Sequence, residues 1–300
     1  MTGELKPSIP EEMVFFARDQ RDDGRGECLS PASPQMVLNF LRGGAGVNVL
    51  ARGRGRVVRV IDIGVDYDFK TVPGLIHRKI MNGTGNVMRE PAMMREQAEQ
   101  AVMVGIELAT EAVREGIGLI GTGEMGIGNT TPSAAITAVM TGRPVEEVTG
   151  HGTGIQESDR AHKVRVIQRA LDLHRPKPSD PIGVLAKIGG LEIAGLAGLM
   201  LGAAASRVPV VLDGFIAGAA ALIAVGLQPR CREYLIAAHR SVEKGHRAIL
   251  NQLGLTPLFD LDFRLGEGTG ACLGMDLVCA AVKVYTEMAT FEEAGVANKL

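Results

Sequence analysis

The chain contains no tryptophan, and aromatic residues make up only 4 % of it, which argues against a stacking platform for single-stranded nucleic acid. Charge of either sign is not in excess. A formal net charge of −2 provides no global pull toward nucleic acid or a membrane surface. The four cysteines, Cys28, Cys231, Cys272 and Cys279, show no C-x-x-C spacing and none has a histidine close by. Zinc and redox motifs are therefore not expected, no metal site is assigned, and the thiols read as reduced residues of a cytoplasmic protein. Cys272 and Cys279, seven apart on one helix face, read as core. The polar, proline-containing N-terminal stretch lacks the apolar core of a signal peptide. Long hydrophobic runs are absent too: the richest, Leu191–Ala205, contains Glu192 and three glycines and predicts a buried helix, not a membrane span. No G-x-x-x-x-G-K-[ST] occurs, which argues against a P-loop nucleotide hydrolase.

What is present is glycine, at 39 of 300 residues, much of it beside apolar runs where strands hand over to helices. The length and a hydrophobic share of 46 % suit one large soluble domain, or a domain with a small lobe. Val57–Val65 reads as a strand, and Met36–Arg52 before it has helical spacing. Further helices are expected over Pro91–Glu115, Asp159–Leu173, Phe215–Val225 and Ala271–Met288, with short strands at Ile117–Ile120, Val208–Leu212 and Tyr234–Ala238. This alternation predicts an α/β fold of three layers, with a mostly parallel sheet between helices. The polar loops Glu124–Thr131, Asp213-Gly214, His239–Ser241 and Gly266–Gly270 all follow apolar runs, so they should converge on one rim, where parallel sheets bind ligands.

Within Gly121-Thr-Gly-Glu-Met-Gly-Ile-Gly-Asn-Thr-Thr131, glycines ahead of a helix start suit an anion, whereas Glu124 would repel phosphate and suits a hydroxyl or developing positive charge. A sugar phosphate meets both conditions. Gly121, Gly123 and Gly126 also satisfy the dinucleotide fingerprint G-x-G-x-x-G, but no strand ending in an acidic residue follows at the required distance. Glu267, between glycines, reads as a solvated loop charge by position alone and as a general base if the loops converge. Lys163 is a phosphate ligand only if its helix edge faces that rim. Ser241 suits equally a phosphate contact or a helix cap. His151 and His162 lack metal-ligand spacing.

Read together, these segments resemble the nicotinate-nucleotide:dimethylbenzimidazole phosphoribosyltransferases of cobalamin synthesis. The likeness is carried by GEMGIGNTT (123–131), VTGHGTG (148–154), IGGLEIAGLAG (188–198), VPVVLDGFI (208–216), YLIAAHRSVEKGH (234–246) and RLGEGTGA (264–271), among others. The resemblance implies transfer of ribose 5-phosphate from nicotinate mononucleotide to a benzimidazole, without a cofactor, by a homodimer. It implies Glu267 as base and Glu124 at the ribose, with Gly126, Gly128, Asn129, Gly152, Lys163 and Ser241 holding the nucleotide. Ser30 and Gln35 align loosely with the polar residues of the aromatic-base pocket. It further implies a catalytic domain over 36–270 and a small helical lobe from 1–35 and 271–300.

One segment departs from the family pattern. Where an A-G-D-H-G-V-like motif is expected, residues 17–34 read ARDQRDDGRGECLSPASP. Arg, Asp and Gly dominate 18–26, as expected of a GC-rich gene read out of frame or from a misplaced start; if instead the segment is real, weakened or altered benzimidazole binding beside a surviving nucleotide half is expected. An uninterrupted genomic frame encoding these same residues would overturn the frameshift reading. The competing functions are a nucleotide-binding paralogue with impaired catalysis and a dinucleotide-dependent oxidoreductase.

Overall fold

The structure, a computed structural model, describes residues 10–19, 32–152 and 157–297. Its centre is a six-stranded sheet of β1 (Glu11–Arg18), β2 (Val57–Gly64), β3 (Leu75–His77), β4 (Leu119–Met125), β5 (Val210–Leu212) and β6 (Leu235–Ala237). The order is β3-β2-β1-β4-β5-β6 and every pairing is parallel. The predicted three-layer α/β architecture is what forms.

Strand side chains alternate between two cores, as a period of two requires. Val14, Phe16, Ile61, Ile63, Ile120, Val210 and Leu212 face one side. There they meet α3 (Arg95–Arg114), α4 (Thr130–Thr141), α8 (Leu191–Ala205) and α9 (Phe215–Leu227). Met13, Phe15, Ala17, Val60, Leu119 and Val211 face the other, against α1 (Ala32–Leu41), α2 (Gly46–Arg52) and α11 (Thr269–Glu287). Also present are α5 (Val145–Val148), α6 (Glu157–His174), α7 (Pro181–Ile188) and α10 (Lys244–Leu253). Leu191–Ala205 is a buried helix, as its composition predicts. A Cβ on Gly198 would stand 1.9 Å from the Val102 carbonyl, so small residues let α8 lie directly on α3.

Three expectations differ from the structure. The segment 1–35, expected in a small lobe, supplies at 11–18 the strand β1, which lies between β2 and β4; its EEMVFFAR run is apolar on both faces and so shows no alternation. At the other end α11 is not apart from the main body: Ala271, Cys272 and Met275 close the second core. The strand expected at Ile117–Ile120 continues to Met125, so Gly121 and Gly123 belong to a strand and not to a phosphate loop. A Cβ on Gly121 would lie 2.3 Å from Met13 Sδ, and one on Gly123 2.3 Å from the Phe15 ring. These glycines make room for β1 side chains, which removes the dinucleotide reading. α11 has the length and apolar composition of a membrane span, yet its inward face packs on the sheet as a core helix does.

Candidate active site

The C-terminal ends of β4, β5 and β6 open into one cleft, lined by Glu124, Asn129, Thr130, Gly152, Asp213–Ala217, His239, Ser241, Glu243 and Arg264–Gly266. The convergence expected of the four polar loops is therefore realised. Parallel strands all end on the same side, and their helices begin there, so N–H groups and side chains collect at that rim.

Glu124 is the next-to-last residue of β4 and is itself buried. Its Oε2 accepts a hydrogen bond from Asn129 Nδ2 at the start of α4. The turn that carries Glu267 lies directly over it: a Cβ on Gly266 would stand 3.3 Å from Glu124 Oε1. The two carboxylates thus come from strand and loop segments far apart in sequence; Glu124 lines the cleft, and Glu267 follows the lining residue Gly266. Burial raises the Glu124 carboxyl to about 8, with further upward contributions from Asp213 and Glu192, a downward one from Asn129, and an upward one from Glu267. Burial also raises the Glu267 carboxyl, with Asp213 adding to it. Glu267 is the less enclosed of the two and has a left-handed backbone, φ 56°, between Gly266 and Gly268.

Arg264 lines the cleft, and Lys163, on α6, adjoins it through Thr130, to whose Oγ1 its Nζ donates at 2.5 Å. Gly152 arches over this pair at φ 59°; a Cβ there would approach Thr130 Oγ1 to 2.8 Å and Lys163 Nζ to 3.4 Å. Ser241 lines the cleft, and its hydroxyl accepts from the Glu243 N–H at 3.3 Å in a turn ahead of α10, whose N-cap is Glu243, so it is not the helix cap. Its own N–H donates to His246 Nδ1 at 2.9 Å. Burial, helped by neighbouring His239, lowers His246 to about 3, which keeps that nitrogen an acceptor.

The remaining expected residues lie elsewhere. Gly126 sits under the cleft, its missing side chain leaving room for the Arg18 carbonyl 3.2 Å from where a Cβ would be. Gly128 is exposed on the turn beyond, at φ 84° with open space around it, and does not line the cleft. Gln35 is exposed on α1, away from the cleft lining, and Ser30 lies outside the described residues. Asp213 and His239, expected on the rim but given no role, and Glu192, read only as part of a buried helix, are all buried at this end of the sheet. Glu192 forms a fully buried ion pair with Arg18 Nε. Its signal was present as the lone charge in an otherwise apolar helix; that of Asp213 was an acid closing a short apolar strand.

A family model described as phosphoribosyltransferase matches residues 1–296. The nicotinate-nucleotide--dimethylbenzimidazole phosphoribosyltransferase of Geobacter sulfurreducens is 60 % identical over 301 residues, 99 % of this chain and 86 % of that protein. The protein of the same name from Chloroflexus aggregans is 57 % identical over 302 residues, covering 100 % and 86 %. The crystal structure of CobT from Thermus thermophilus superposes with a TM-score of 0.92 at 44 % identity, covering 99 % of this chain and 90 % of that one. With a family model spanning nearly its whole length, relatives well above half identical and a matching solved fold, this chain belongs to the phosphoribosyltransferase family of those enzymes.

Proposed function

We propose that this protein transfers ribose 5-phosphate from nicotinate mononucleotide to 5,6-dimethylbenzimidazole, releasing nicotinate and forming α-ribazole 5′-phosphate for the cobalamin nucleotide loop. The observation that supports this reading is a cleft lined by Glu124 and Ser241, with the turn bearing Glu267 packed over Glu124 at Gly266 and Lys163 bonded to the lining residue Thr130. Nicotinate departs from a cationic pyridinium, so no acid is needed to protonate it. The ribose carbon it leaves becomes oxocarbenium-like, and the ionised Glu124 carboxylate offsets that charge. A free-enzyme value of about 8 leaves Glu124 largely protonated in the empty cleft at neutral pH, and the pyridinium of a bound nucleotide favours its ionised form. The incoming benzimidazole attacks from the face opposite the departing ring, which inverts the β-nucleotide to an α-product. Glu267 takes the acceptor's proton, its raised basicity suiting transfer near neutral pH.

Lys163, Ser241, Gly152 and the first turn of α9 hold the 5′-phosphate, with Asn129 and the Gly126 turn keeping Glu124 in place. Truncating Lys163 to alanine should raise KM for nicotinate mononucleotide about 10- to 100-fold with a much smaller change in kcat, the loss expected for a charge-assisted phosphate contact. Steady-state kinetics with the nucleotide varied checks it. The buried cysteines fit a protein of the cytoplasm, where thiols stay reduced. The homodimer would cover exposed apolar residues at the C-terminal end of α11, including Tyr285 and Met288; sedimentation of the purified chain tests that assembly.

The decisive experiment incubates the protein with nicotinate mononucleotide and a panel of benzimidazoles and purines, following products by mass. Nicotinate release that depends on the added base supports the transfer. Nucleotide binding with no release under any base would overturn it in favour of an impaired paralogue.

A further inference from the structure

We propose that Asp213 is a positioning residue for the transfer reaction: it caps helix α11 from across the fold, and so holds Glu267 in its turn with an anionic neighbour behind it. Residues 266–268 are three successive left-handed residues, with φ of 73°, 56° and 69°. Gly266 and Gly268 adopt that conformation freely, but Glu267 does so only because its surroundings hold it there. The helix that follows has no cap of its own, since its N-cap residue is Gly268. The cap comes instead from the end of β5. Asp213 Oδ2 accepts the Gly268 N–H at 3.1 Å and Oδ1 accepts the Ala271 N–H at 3.0 Å. These are two of the N–H groups a helix start leaves without intrahelical partners, and a negative charge there is favoured.

Asp213 is itself fixed. It is buried, and its N–H donates to Thr122 Oγ1 at 2.9 Å, while that hydroxyl donates to the Val211 carbonyl at 3.2 Å. The approach of the two segments also requires Gly270, where a Cβ would fall 2.8 Å from Asp213 Oδ1 and 2.2 Å from the His239 ring. Shape, hydrogen bonds and burial therefore tie the turn bearing Glu267 to one carboxylate. The same carboxylate is the charge that adds to the effect of burial on Glu267.

This inference rests on Glu267 being the base. The other charged or titratable groups at this end of the sheet are Glu124 on β4, Glu192 on α8 paired with Arg18 on β1, Lys163 on α6, and His239, Glu243 and Arg264 on the rim. Of the two catalytic acids, Glu124 also feels Asp213, so the profile is read in the Glu124→Gln background as well, where a limb that still moves with Asp213→Asn belongs to Glu267. The test is the pH profile of kcat for Asp213→Asn, at saturating nucleotide and acceptor. The amide keeps the shape but loses the charge and one of the two acceptors. Its acid limb should lie at lower pH than that of the wild type, and its plateau should be lower by about 10- to 100-fold, as misplacement of a reacting group implies. Substrate ionisation is common to both enzymes and cancels in the comparison. If the amide variant is too unstable to purify, Asp213→Ser, which keeps one short acceptor and no charge, should move the limb the same way. A lowered plateau with the limb unmoved in the purified variant would overturn the proposal, since loss of structure alone changes height and not position. Wild-type turnover by Glu267→Gln would instead overturn the base assignment beneath it, so the two failures are distinguishable.

Discussion

Replacing Glu267 by glutamine should reduce kcat about 10²- to 10⁴-fold, the usual worth of general-base help, while nucleotide affinity stays near that of the wild type. Glu267 sits in the turn before α11, while the proposed phosphate contact is made by Lys163 bonded to Thr130 of α4, so its replacement should leave that contact intact. Glutamine keeps the size of the side chain and its hydrogen-bonding reach but cannot take a proton. Single-turnover release of nicotinate, measured beside equilibrium binding of the nucleotide, separates the two quantities. Unchanged turnover would remove Glu267 from the chemistry and leave Glu124 as the only carboxylate with a role.

The second large effect concerns Glu124. Its substitution by glutamine should lower kcat/KM for nicotinate mononucleotide about 10²- to 10³-fold, the scale of losing one preorganised electrostatic partner of the transition state. The pH dependence is a sharper check. The carboxyl of the empty enzyme lies at about 8 and the active form is ionised, so wild-type kcat/KM should climb through pH 8 and level off above it. The glutamine variant should lack that limb. Stability runs the opposite way. A carboxyl raised on folding favours the native state below its unfolded value, and that contribution is lost progressively as pH rises to about 8. The ligand-free variant should therefore melt above the wild type at pH 8–9, and the difference should vanish toward pH 4. Equal melting temperatures at both ends would contradict the burial of an ionisable group there.

How much of this could be read along the chain differs from segment to segment. The rim was legible because each of its loops follows an apolar run, and parallel strands must deliver such loops to one end. Glu124, Gly152 and Ser241 line the cleft, and Lys163 bonds the lining residue Thr130. The strand β1 was not legible: a strand buried on both faces has no alternation, and here it runs straight into the atypical segment 18–26. The continuation of β4 through Gly121 and Gly123 was hidden for a related reason. Glycine in isolation signals a turn, and only the neighbouring Met13 and Phe15 side chains explain why it stands inside a strand.

Asp213 shows the same limit at the level of chemistry. Its position after β5 could be placed on the rim, but its two bonds are to N–H groups 55 and 58 residues away. Local patterns, periodicity and glycine-marked junctions were enough to set the layers and the end of the sheet where the polar loops gather, because those follow from short-range geometry repeated along the chain. Which carboxylate is raised and which acid caps a distant helix emerged only once the segments were packed together. Burial and charge proximity are properties of neighbours in space, and a linear order of residues does not contain them.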